Sequence, residues 1–197
     1  VKIHLRKWFA LFCIFGGVLW GAKPVYDWLV LGRRINTGLT VYDWTDYLKF
    51  AFPLLCIGGI LVLLSLYKKQ IKVSAIILFL SLILLGLFHF AEIFLSHSEI
   101  PFGLLFLLTG SITFLVGSIM LVFQLKKVTP IPIKIVQLSL GISVTTLLFC
   151  LLPFISTILN DAIETPIMVG LMMFIGLFWA LIGGVLFQIV QSKDSNN

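Results

Sequence analysis

The stretch "GLFHFAEIFLSHSE", midway along the chain, carries the residues best suited to chemistry. His89 and Glu92 are three apart and Ser96 is four further on, so a helix would place all three on one face. An imidazole beside a carboxylate can relay protons, work as an acid–base pair, or supply two ligands to a metal with His97 close behind. Two protein ligands do not make a zinc site, which needs three or four. His97 reaches the same ion only if the helix ends between it and His89. No metal and no cofactor is therefore expected. GxSG, HExxH, CxxC, Walker A and Gly-rich dinucleotide motifs are all missing. No Lys lies mid-span to carry a retinal, and one His within a span cannot offer paired axial ligands to a haem. A second candidate is Arg33 with Arg34, which lie near aromatic residues and could grip a phosphate headgroup or another anion.

These side chains belong to a 197-residue chain that is 60% hydrophobic and 11% charged. Soluble domains are usually about 25% charged, so the bilayer is the solvent that fits this composition. The expected fold is all-α, a polytopic transmembrane bundle in one domain over residues 1–197. Six apolar runs define it: Trp8–Ala22, Phe50–Leu66, Val73–Ser96, Ile100–Leu125, Ile135–Leu159 and Ile167–Val190. The first is the shortest. Its Lys2, Arg6 and Lys7 resemble the start of a signal peptide, but cutting after Ala22 would put bulky Trp20 at −3. An uncleaved anchor is expected.

Loop charge gives the orientation. Ten of the fourteen Lys and Arg fall at one set of segment ends: near the amino end, in "KKQIK", in "KKVTPIPIK", and at Lys193 in the polar tail 191–197. The alternate connections "HSEI" and "NDAIETP" contain neither Lys nor Arg. By the positive-inside rule, six spans place both termini in the cytoplasm. The same distribution accounts for the +6 formal charge without nucleic acid. Cys13, Cys56 and Cys150 each lie in an apolar run and read as small hydrophobes, not as a disulfide framework.

Small residues supply the packing seams that lipid-embedded helices need. Gly17 and Gly21 form one, Gly103, Gly110 and Gly117 a second, and Gly176, Ala180 and Gly184 a third. Such faces serve packing within the chain or self-association. Pro53 and Pro153 are expected to kink their helices.

The outer loop, residues 23–47, repeats one tetrapeptide: Val25-Tyr26-Asp27-Trp28 returns as Val41-Tyr42-Asp43-Trp44. Pro24 and Thr40 suit helix starts. Each copy is therefore expected to open an interfacial helical piece, with Tyr and Trp at headgroup depth and Asp27 and Asp43 facing water.

The expected function is that of a non-enzymatic membrane component, accessory to a larger system or self-associating, in a bacterial cytoplasmic membrane. A small transporter using His89 and Glu92 is the alternative. Its partners would come from Ser156, Thr157 and Asn160 at matching depth. A metal-dependent intramembrane enzyme is a further alternative. Transport needs polarity across the whole membrane, and the sequence shows it chiefly in the outer half.

Overall fold

A computed structural model of the chain describes residues 3–30, 46–94, 100–128, 132–156 and 161–194. They form five helices: α1 (Ile3–Leu29), α2 (Ala51–Phe94), α3 (Ile100–Leu125), α4 (Ile133–Ser156) and α5 (Asp161–Asp194). A single 3-10 turn, Asp46–Leu48, leads into α2. Each helix is long and apolar enough to cross a membrane, and no strand occurs among the described residues. Backbone groups have no water to bond in lipid, so a helix, which satisfies them internally, is the structure this composition demands.

The second helix is the unusual one. Its 44 residues would stretch roughly 66 Å if straight, about twice the hydrocarbon thickness. The backbone leaves helical geometry at Tyr67 (φ −131°, ψ 27°). The rings of Phe50 and Phe90 then lie only 6.3 Å apart. A methyl built on Gly86 would meet the side chain of Leu54 and the carbonyl of Phe50, each at about 3.3 Å. The two arms therefore run back along each other. "KKQIK" is expected to be a loop but is helical from Lys68 onward. Its residues are mostly good helix formers, so the helix restarts immediately after the turn.

The arms of α2 place the elements in a ring. Gly16 of α1 sits against Phe52 and Leu55 of the first arm, and Gly58 of that arm against Phe9. Gly110 and Gly117 of α3 rest on Leu85 and Leu78 of the second arm. Ser143 of α4 donates to Ser118 of α3 at 3.0 Å, and Gly141 packs under the ring of Phe178 in α5. The ring closes between α5 and α1, where Gly17 and Gly176 face each other. A Cβ on either would lie 2.5 Å from the other's carbonyl oxygen. Only glycine permits that approach, and close backbone contact is how lipid-embedded helices gain dispersion energy. Three of the expected seams are thus used at least partly within the chain, while Gly184 has open space around it.

Inside the ring large side chains fill most of the core. Trp179, Phe114, Ile60, Leu63, Leu82 and Ile142 are almost wholly buried. Phe114 touches Trp179 at 6.1 Å and Trp20 at 6.4 Å between ring centres. The thiol of Cys13 donates to the Trp179 carbonyl at 3.3 Å, which fits its expected role as a packing residue.

Two further expectations need correction. Pro53 lies in the first turn of α2, where its missing N–H has no helical acceptor, so it starts the helix and does not kink it. Pro24 does not open a new helical piece but lies inside α1, which runs on to Leu29. The first copy of the repeated tetrapeptide therefore ends a helix. Lipid-embedded helices tolerate an internal proline because neighbours re-satisfy the freed carbonyl. The second copy, like Arg33 and Arg34, lies outside the described residues.

Candidate functional site

The approach of α1 to the start of α2 builds a closed set of four charges. Lys23 and Asp27 are one turn apart on α1 and pair directly. Asp46, in the 3-10 turn, and Lys49, just after it, pair at 2.9 Å. The two pairs also join across the gap. Lys23 reaches Asp46 at 2.9 Å, and Lys49 lies 3.7 Å from Asp27. Each ammonium faces two carboxylates and each carboxylate two ammoniums. Asp46 is 0% exposed and Lys23 7%. The set is neutral as a whole, which is the condition under which charges at such depth can stay ionised. Lys23 also stands 5.7 Å over the ring of Tyr26.

Asp27 is expected to face water, but its side chain is 13% exposed and enclosed by the two lysines. Sequence reading missed Lys23, Asp46 and Lys49 altogether. The available signal was the Lys-x-x-x-Asp spacing before the loop and the Asp-x-x-Lys spacing after it, both suited to one helical turn. Tyr26 and Trp28, just outside the cluster, are exposed, as interfacial aromatics would be.

The second feature lies inside the ring. His89 is half-buried on the second arm of α2. It lines a cavity of about 50 Å³ together with Trp20, Phe88, Ser111, Phe114 and Thr146. Every helix contributes to that lining, so His89 meets the bundle interior on one side. The Phe88 ring lies 5.0 Å from the imidazole. The Thr146 hydroxyl donates to the Ile142 carbonyl at 2.8 Å. The space suits a water molecule or a similarly small polar solute, since such a guest needs two to four polar partners.

Glu92 lies on the same helix, but its side chain is outside the described residues, as are the whole of Ser96 and the side chain of Ser156. Thr157 and Asn160 also fall outside. Among the described residues no group of three or more His, Cys, Asp and Glu comes together to hold a metal. Buried hydroxyls continue at mid-depth, which the sequence did not lead one to expect: Ser81, Ser118, Ser139 and Ser143 are all enclosed. Ser81 donates to the carbonyl of Leu78 and Ser118 to that of Leu115, both on their own helices.

Comparison with protein-family models, with curated proteins and with solved structures finds no match. The functional reading therefore rests on this chain's own geometry.

Proposed function

We propose that the chain is a six-span protein of a bacterial cytoplasmic membrane, with both termini cytoplasmic. In this reading it works as a non-enzymatic component, accessory to a larger membrane system or to copies of itself. Counting each arm of α2 as a span supports six, since 44 residues folded back on themselves match two crossings. The lysines at Lys68, Lys69, Lys126, Lys127 and Lys193 then share one side.

The filled mid-section carries the non-catalytic reading. Trp179 and Phe114 close the centre of the ring. Around them, the hydroxyls of Ser81, Ser118 and Thr146 are engaged with the carbonyls of their own helices, while Ser139 Oγ and Trp179 Nε1 stand buried in the packed core without a hydrogen-bond partner. Hydroxyls so engaged do not replace a solute's hydration shell. The expected result in proteoliposomes is therefore no flux above that of protein-free vesicles, across a panel of ions, sugars and amino acids with a pH dye inside. Saturable flux of any one of them overturns the reading.

Orientation has its own test. Single cysteines at Thr37, Ser98 and Ala162 should react with an impermeant thiol reagent in intact cells, and those at Gln70, Thr129 and Ser195 should not. A reversed pattern at any of these positions removes the six-span arrangement.

The His89 cavity favours a second reading, proton- or solute-coupled transport through an outer-leaflet site formed with Glu92. Under it, Glu92→Gln abolishes flux while the protein still inserts and folds. Unchanged flux in that variant discards the site.

A further inference from the structure

We propose that the corner where the α2 turn meets the α3–α4 connection binds the headgroup of an anionic phospholipid, its acyl chains lying along the adjoining helix faces. The inference rests on the chain being a membrane protein and not on its spanning number. Lys68, Lys69 and Lys72 on one side of this corner are exposed, as are Lys126, Lys127 and Lys134 on the other. The two sides are neighbours, because the Ser74 hydroxyl donates to Gln124 Oε1 at 2.8 Å. Lys72 follows the helix two residues before that contact, and Lys126 and Lys127 come two and three residues after it.

Nothing in the described chain balances these charges. Of the acidic residues among those described, only Asp194 belongs to this end of the bundle, and it is held by Lys7 between α1 and α5. The opposite end treats its cations differently, matching Lys23 and Lys49 to Asp27 and Asp46 one for one. Unbalanced like charges close together repel, and a phosphodiester between them removes that repulsion. A setting for the rest of the lipid adjoins the lysines. Phe123 is 61% exposed, Val73 54% and Ile76 46%, and all three sit within two turns of the cations. Lys126 Nζ stands 5.9 Å from the Phe123 ring centre, at the boundary between polar and apolar surface. A ligand with an anionic head and an apolar body meets both surfaces, whereas free phosphate meets only one. Basic clusters flanking membrane helices recognise anionic lipid in this way.

The test uses the full chain in neutral detergent, titrated with phosphatidylglycerol and with phosphatidylcholine of the same acyl chains. Thermal unfolding and the number of lipids retained in native mass spectrometry are read together. Phosphatidylglycerol should raise the unfolding midpoint and be retained roughly tenfold more strongly, and 0.5 M salt should weaken the difference, about as expected for exposed cations. The variant Lys72→Gln/Lys126→Gln/Lys127→Gln should lose the preference. The corresponding triple arginine variant and Lys193→Gln should keep it. Equal response to the two lipids overturns the proposal, as does a triple glutamine variant with full preference. Competition by inorganic phosphate at the lipid's own concentration also overturns it, since that would mark a site for the free anion. If the glutamine variant does not fold, the arginine variant and the salt titration of the unaltered chain decide.

Discussion

Asp46 holds two lysines at once while fully buried, so its carboxylate is the most consequential charge outside the His89 site. Asp46→Asn should lower stability by about 3–5 kcal/mol, because it leaves buried ammoniums without enough counter-charge. Replacing all four charged residues by leucine tests the opposite case. A purely structural cluster should then lose little, since apolar isosteres often match buried ion pairs. A quadruple variant that folds normally but loses interaction with its membrane system would assign the cluster a role beyond structure. Denaturation in mixed micelles measures both. The glycines offer a comparison of another kind. Gly176→Ala should cost about 1–3 kcal/mol, because its new methyl meets the Gly17 and Gly21 backbone. Gly184→Ala, with nothing within 4 Å, should cost nothing and even gain slightly from reduced chain entropy. Equal effects at the two positions would contradict the seam.

Legibility differs between elements for physical reasons. The apolar runs behind α3, α4 and α5 could be read within a few residues at most ends, because a bilayer fixes both their length and their composition. α1 could not. Hydropathy falls at Lys23 and Asp27, so the apolar run ends at Ala22, yet the helix continues to Leu29. Those charges are satisfied by Asp46 and Lys49, far along the chain, and no local window of sequence contains that information. The turn in α2 was legible from its lysines, but not its tightness, which depends on the single residue Tyr67. The contact of His89 with the bundle interior was also hidden. When a helix is apolar on all sides, its pattern does not say which face meets protein and which meets lipid. Glycine spacing announced a close contact on α1 without naming α5 as the partner. If that contact is what holds α1, Gly17→Leu should make α1 far more accessible to protease or hydrogen exchange than α3. Equal protection of both helices would place the hold elsewhere.

At the scale of the molecule, the ring is joined by its first and last helices. Lys7 and Asp194, which meet at one end of that joint, are 187 residues apart in the chain. A ribosome adding about 5–20 residues per second takes roughly 10–40 s to cover such a distance. For most of that interval the glycine face of α1 has been made and its counterpart has not. Stability measured on the finished protein carries no trace of this delay, but biogenesis does. A nascent chain stalled before α5 should expose a cysteine placed at Gly17 to cross-linking with insertion machinery or lipid probes, and release of the full chain should erase the signal. Persistence of the cross-link after release would mean that the joint forms by some other order. This glycine contact is thus made late, and the first helix needs a temporary neighbour that departs when α5 arrives.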